Sequence, residues 1–488
     1  MLPAVSNKLW GYGLTTWFYL LSSISIVCFA TGIYINEPIL LLLPFGVLVL
    51  AVALLNFNLL FYLLVAAIPI SINYQISDAL ALNLPTEPLM AGFLLLLPLY
   101  FLLNPSKENK ALLNHPLILL LILMLVWLGI STIFSTEKLI SLKFFVAKCW
   151  FICSFGILTA LVVKNVNQYK IWFWCFLIPL ILVTIYILLR HYNLNFSFAF
   201  VNRTMSPFFR NHVDSAVTQV AFLPFVICSR FLFKKGSVAR LVIDGSIPLL
   251  IVGIYYSYTR AAIASIAIIV AVYFIVKFKL MYPTIIAGII AIFAFVLLMQ
   301  NNNAYLNFAP DYKKTIYHGN WKSHLRATIS MQDISAMERV YRWVAGFRMV
   351  ADKPIVGFGP GAFYKNYKKY TISSFKTYVS DNPEKSTVHN YYLLILIEQG
   401  IAGLIILLSI ILITLIKGQQ LYHSGLPPPY KYIVMASLMS FTVLLANNFL
   451  GDLVEVDKTG SLFFMNIAFI ISIDLHYRTA KNVINEKA

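Results

Sequence analysis

Stretches of about twenty consecutive apolar residues recur along nearly the whole of this chain, each long enough to cross the ~30 Å hydrocarbon core of a bilayer as a helix. In hydrocarbon, backbone N–H and C=O groups must be satisfied within a helix or around a closed barrel. The two-residue alternation of a barrel strand is absent from these stretches, so helices are expected. Only 11% of the 488 residues are charged and 60% are hydrophobic, far from the ~25% charge of a soluble domain. Those proportions exclude a soluble globular protein, a disordered chain and a coiled coil. The expectation is an all-α polytopic membrane protein.

The apolar pattern predicts fourteen spans, near 14–34, 38–55, 57–75, 85–103, 116–134, 142–164, 170–190, 214–233, 240–258, 260–277, 282–299, 390–416, 430–449 and 459–475. The first is too long for a signal-peptide core and no small-residue cleavage site follows it, so it reads as a retained span. Three regions result: a transmembrane bundle over 1–299, a large loop domain over 300–389, and C-terminal transmembrane helices over 390–488. No internal repeat is visible. The five cysteines (Cys28, Cys149, Cys153, Cys175, Cys228) all fall in spans. They read as small buried hydrophobes rather than as a disulfide framework or a zinc site.

Lys and Arg in the short loops orient the bundle. With the N-terminus in the cytoplasm, Lys107, Lys110, Lys164, Lys170, Lys234, Lys235, Arg240, Lys277, Lys279, Lys417 and Lys431 all fall inside, with Arg478, Lys481 and Lys487 in the tail. The acidic stretch Gly451–Asp457 falls outside. So does the loop 300–388, which is basic, with thirteen Lys and Arg against six acids. Long loops cross regardless of charge, so the topology stands. A solvated basic surface is one reading of that loop. The other is an outward-facing anion site, such as one for a lipid phosphate.

Within 338–352 an amphipathic helix is expected. Val340, Val344 and Phe347 form one stripe; Arg339 and Arg342, three apart, share a different face, and Arg348 points away from both. Lys353-Pro354 ends the helix. Gly357-Phe358-Gly359-Pro360-Gly361 follows. Gly359 and Gly361 could build an anion-binding nest of N–H groups, or simply a tight turn; Pro360 removes one donor. His389 directly precedes an apolar span. A helix N-terminus disfavours the imidazolium, so His389 is expected to be neutral and able to accept a proton. Arg260 stands between two spans with almost no loop. It either anchors the interface beside Tyr255, Tyr256 and Tyr258 or clamps a diphosphate with its guanidinium fork. Arg203, Arg210, Asn211 and His212 add cationic and hydrogen-bonding groups on the same side. Lys148 and Glu398 fall within spans, where ionisable residues tend to line cavities. Paired carboxylates, an HExxH motif, a Walker loop and an Asp-x-Asp site are all missing from the sequence, so neither a metal nor a cofactor is expected.

In these motifs the chain resembles the O-antigen ligase and polymerase superfamily. The matching positions are Arg339 and Trp343, then Pro354, Gly357, Gly359, Gly361 and Phe363, then His389, Asn390, Glu398, Gly400 and Gly403. Upstream, Thr259-Arg260-Ala261-Ala262 also matches, and Arg210–His212 more weakly. The motifs cover about 205–404. Fourteen spans is a departure, since about twelve is usual for the ligases. The resemblance implies a GT-C-like helical bundle of about 12–14 spans with one large periplasmic loop, in a bacterial inner membrane, with its site facing the periplasm. It implies a metal-independent glycosyltransferase. The donor is a polyprenyl-diphosphate-linked glycan. The acceptor is lipid A-core in a ligase, another lipid-linked repeat in a polymerase, or a protein hydroxyl in an oligosaccharyltransferase. No nucleic acid is expected as a partner. On that reading His389 is the general base, and Arg260 and Arg339 bind the diphosphate and stabilise the leaving group. Arg342, Arg210, Asn390, Gly359 and Gly361 contact substrate. A transporter or flippase for the same anionic lipid is the alternative of a different class. The absence of a repeat and the clustering of polar groups at the outer edge favour chemistry.

Overall fold

The structure is a computed structural model. It describes residues 57–77, 80–300, 334–372, 380–382 and 386–485, with isolated positions between 8 and 31. The chain divides into two units, Met1–Val65 and Ala66–Ala488. In the first, Lys8–Leu9 pairs antiparallel with Tyr12–Gly13. The expected spans 14–34 and 38–55 lie outside the described residues, apart from isolated helical positions between 23 and 31.

Helix α1 (Phe57–Ile70) carries Pro69 in its last turn. The chain was expected to stay helical to 75. Instead it turns into a two-stranded antiparallel hairpin, β1 (Ile72–Ser77) and β2 (Leu80–Leu84), with Asn73 opposite Asn83. The physical reason is local. Pro69 weakens the helix, and Ile72-Asn-Tyr-Gln-Ile-Ser77 then alternates apolar and polar residues with the period of a strand.

From residue 85 onward each expected span is a helix: α2 (Thr86–Leu103), α3 (Pro116–Ile133), α4 (Lys138–Val162), α5 (Val166–Tyr192), α6 (His212–Ser229), α7 (Val238–Tyr256), α8 (Arg260–Lys277) and α9 (Met281–Gln300). After α10 (Ile334–Asp352) come α11 (Tyr391–Tyr422), α12 (Pro428–Asn448) and α13 (Asp457–Asn485). Among the described residues, ten of these helices are long and apolar enough to cross a membrane, and the chain is an all-α polytopic membrane protein.

Helices α6 and α13 form the centre of the bundle and are buried over most of their length, while α2, α3, α7 and α8 bury a third or less. Those outer helices turn residues such as Leu95, Leu102 and Leu119 outward, as lipid-facing helices do. Trp172 and Phe176 of α5 meet Phe222 and Phe225 of α6 and Phe469 of α13, with centroids 4.4–5.9 Å apart. Offset and edge-on rings of this kind add to the apolar burial.

The loops between the helices sort to two ends of the bundle. At one end, Lys164 pairs with Glu108, His423 meets the carbonyl of Val276, and Gln419 accepts from Met281. At the other, Thr86 donates to Asp457, Thr259 to the carbonyl of His212, and Tyr392 to that of Leu445. This second end carries the site.

Candidate functional site

The site is built on a broken helix. Gly400 (φ 68, ψ −170) interrupts α11, which frees the carbonyls of the preceding turn. Buried carbonyls must find donors, and here the 354–363 turn supplies several. Phe358 N–H donates to Ile397 O at 3.0 Å and Gly359 N–H to Glu398 O at 2.9 Å, while Ile401 N–H donates to Pro354 O at 2.9 Å. From α3, Ser131 Oγ donates to Glu398 O at 2.8 Å and Trp127 Nε1 to Gln399 O at 2.8 Å. The Glu398 carboxylate accepts from the N–H groups of Gly361 and Phe363. Gly359 takes φ 101, and a Cβ there would run into Ser135.

These bonds change the reading of Gly359 and Gly361. Their N–H groups are spent on the Glu398 carbonyl and carboxylate, so they close a broken membrane helix instead of lining an open anion nest. Asn390 likewise has a local task, since its side chain caps α11 by accepting from Leu393 N–H at 3.0 Å.

The turn also fixes where α10 lies. Gly346 sits against α11, where a Cβ would stand 2.8 Å from Ile397 Cδ1. Glu338, Tyr341, Arg342, Ala345 and Met349 form the buried face of α10, at the i, i+3, i+4 spacing of one side. Phe347, in the apolar stripe read from the sequence, is 59% exposed. Val340 and Val344 are half-buried, so the stripe runs along the edge of the buried face and turns outward at Phe347.

The buried face of α10 holds the segment before α11. Arg342 Nη1 donates to Thr387 O at 3.0 Å and Trp343 Nε1 donates to Val388 O at 3.1 Å. With both carbonyls gripped, His389 adopts φ 54. A left-handed backbone costs a non-glycine residue ~1–2 kcal/mol and is maintained only where the surroundings over-determine it. His389 N–H donates to Thr387 Oγ1 at 3.3 Å, and Thr387 bonds the Asp452 carboxylate. Burial, then the positive fields of Arg342 and Arg339, push the imidazole down to about 3, so His389 is neutral at physiological pH. Glu338 accepts from Arg342 Nη2 at 3.4 Å and from Ser380 Oγ. Arg342 Nε is buried with no acceptor among the described residues.

The structure therefore brings His389, Arg339 and Arg342 together. Arg210 lies beside Asp214 and Asp452. Burial raises the Asp452 carboxyl above its ordinary range, and Arg210 opposes that rise. Arg260 begins α8 at this same end, half-buried, and its neighbour Thr259 meets the start of α6. Sequence reasoning missed Thr387, Asp452 and Glu455. The two acids served only as topology markers in Gly451–Asp457. Lys148 does line a cavity, paired with Glu455 Oε1 at 2.7 Å.

Residues 246–408 match the family described as O-antigen ligase. The matched stretch contains Arg260, Arg339, Arg342, the glycine turn and His389, and leaves Arg210 and 452–458 outside. No curated protein matches the chain.

Proposed function

We propose that this chain, which carries an O-antigen ligase domain over residues 246–408, transfers a glycan from a polyprenyl-diphosphate donor to an acceptor hydroxyl on the periplasmic face of a bacterial inner membrane. The ligase reaction, with lipid A-core as acceptor, is the form we favour. The observation that carries this reading is His389 itself: a neutral imidazole held in a left-handed backbone beside two arginines at the start of a helix.

The reaction follows from those groups. Arg339 and Arg342 receive the diphosphate, and the buried Nε of Arg342 gains the acceptor it lacks. Arg260 is a third candidate for that clamp. The acceptor oxygen attacks the anomeric carbon as its proton passes to His389. The bond from that carbon to the diphosphate oxygen breaks, and the arginines stabilise the departing charge. The proton on His389 then leaves to solvent or to the diphosphate. Helix α10, with its outward Phe347, lies at the membrane surface as a cover.

A broken helix also occurs in transporters, where freed carbonyls coordinate ions. Here the carbonyls of Ile397, Glu398 and Gln399 already have donors, which favours transfer over transport.

Purified protein given polyprenyl-diphosphate oligosaccharide and lipid A-core, with EDTA present, should glycosylate the lipid. Arg342→Ala and Arg339→Ala should weaken donor affinity by about tenfold or more, as loss of a charge-assisted bond implies. Lengthened lipid-linked glycan without lipid A-core would make the protein a polymerase. Flipping in liposomes without transfer would end the enzyme reading.

The pH profile carries a separate expectation. His389 acts as a base only while neutral, so activity should fall on the acid side of its pKa. In the free protein that point is held near 3 by burial and the two arginines. A bound diphosphate cancels the arginine field and raises it. The acid limb of kcat, which reports the complex, should therefore lie at higher pH than that of kcat/KM, which reports the free protein. The reverse order would sink the coupling.

A further inference from the structure

Next to the 452–455 turn, the same end of the bundle holds a cavity of about 380 Å³, within the roughly 300–1,000 Å³ typical of small-molecule sites. Its walls come from β1, β2, the starts of α2 and α6, α4, the 206–210 loop and 454–458, and none of its lining comes from α10 or from 386–390. The 387–389 segment meets Arg342 through Thr387 O and the 452–455 turn through the Thr387 side chain, which bonds Asp452, with Tyr391 beside Glu455.

We propose that this cavity is a carbohydrate subsite that holds an uncharged sugar ring of the acceptor, with the reacting hydroxyl directed past the 452–455 turn toward His389. The assignment rests on the transfer reaction proposed above and names where its second substrate sits.

Charge argues for a neutral ligand. Three cations and four acids line the cavity, and the cations are answered from within the protein. Lys148 is held by Glu455. Lys458 Nζ donates to the carbonyls of Pro69, Ser71 and Phe208 at 2.8, 3.1 and 2.6 Å. Arg210 lies near Asp214 and Asp452. A diphosphate entering here would meet a surplus of carboxylate, whereas the arginine side offers it net positive charge.

Hydrogen bonding and shape argue for a sugar. Asn73 Nδ2 donates to Asn83 Oδ1 at 3.0 Å, and Asn83 Nδ2 donates to Glu87 Oε1 at 2.9 Å. That chain of amides and a carboxylate along one wall can both give and accept bonds with hydroxyls. Trp150 lines the cavity too. Phe208, half-buried at the cavity wall, supplies an apolar face on which the C–H face of a sugar can pack.

Asn83→Ala and Asn73→Ala separate the possibilities, each removing one member of the amide chain on the cavity wall. Each should raise the acceptor KM about 3- to 10-fold, as loss of one hydrogen bond implies, with donor KM unchanged. A rise in donor KM instead, or no change in either, would overturn the assignment. A binding arm runs without catalysis. Wild type in nanodiscs is titrated with methyl glycosides of glucose, galactose and N-acetylglucosamine, followed by saturation-transfer NMR. Saturable contact that weakens in Asn83→Ala and is not displaced by inorganic pyrophosphate supports the subsite. Displacement by pyrophosphate, or no contact with any glycoside, overturns it. If glycosides bind in this way but no transfer occurs with any acceptor, the enzyme reading fails while the sugar site stands.

Discussion

Replacing His389 with Asn should lower glycan transfer by roughly 10²–10⁴-fold, the usual worth of a positioned general base, while donor binding persists. Asn is the informative choice because the backbone there is left-handed, at φ 54. Asn tolerates that region better than other non-glycine residues, so strain does not confuse the result. Its amide cannot take a proton from a hydroxyl at neutral pH. His389→Ala should lose as much activity and some stability besides. The two effects are read apart by donor affinity and by the thermal midpoint. If His389→Asn keeps activity within a few-fold of wild type, His389 is not the base. The neighbouring groups predict a graded pattern. Trp343→Phe removes the bond to Val388 O and shortens the ring that meets Phe449 edge-on, so it loosens the segment that presents the imidazole and should cost far less than the loss of His389.

The contrast between what the sequence made legible and what it hid has a physical basis. Helices from residue 86 onward could be read because crossing a bilayer needs only length and apolarity, both local properties. The pairing of Arg339 with Arg342 on one face of α10 was legible for the same reason, since three residues is nearly one turn. The hairpin 72–84 was harder, because its strand period is only six residues long and follows an apolar helix without a gap. The break at Gly400 was invisible as physics. Glu398-Gln-Gly-Ile lies inside a continuous apolar run. Its donors come from the 354–363 turn about forty residues earlier and from Trp127 and Ser131, some 270 residues earlier. No window of sequence contains that arrangement. Asp452 and Glu455 were legible only as negative charge. Which partner each acid meets, Thr387 or Lys148, is decided by how α4, α11 and α13 converge.

The broken helix yields the largest expected effect on stability. Gly400→Ala places a Cβ against the carbonyl of Ile355, with Pro354 O at 2.8 Å. These are backbone atoms and cannot rotate away. Ala at φ 68 adds its own left-handed cost of ~1–2 kcal/mol. Relieving the overlap moves the turn off α11 and strains the bonds to Ile397 O, Glu398 O and Pro354 O, each worth about 0.5–1.5 kcal/mol net and more if a carbonyl is left unpaired. Together these come to on the order of 3–5 kcal/mol, among the larger effects a single substitution produces. Gly245→Ala in α7 is the control, because nothing lies within 4 Å of its Cβ and Ala favours a helix interior by ~1 kcal/mol. Thermal unfolding in one detergent should therefore show Gly245→Ala at or slightly above wild type and Gly400→Ala far below it. A midpoint for Gly400→Ala equal to the control would mean that the turn does not brace the break. The consequence reaches the chemistry. Residues 353–363 join the end of α10 to the broken turn, and α10 holds Thr387 and Val388 by their carbonyls. At temperatures where Gly400→Ala is still folded, transfer should fall by more than the unfolded fraction explains, because the arginines and the imidazole lose their register together.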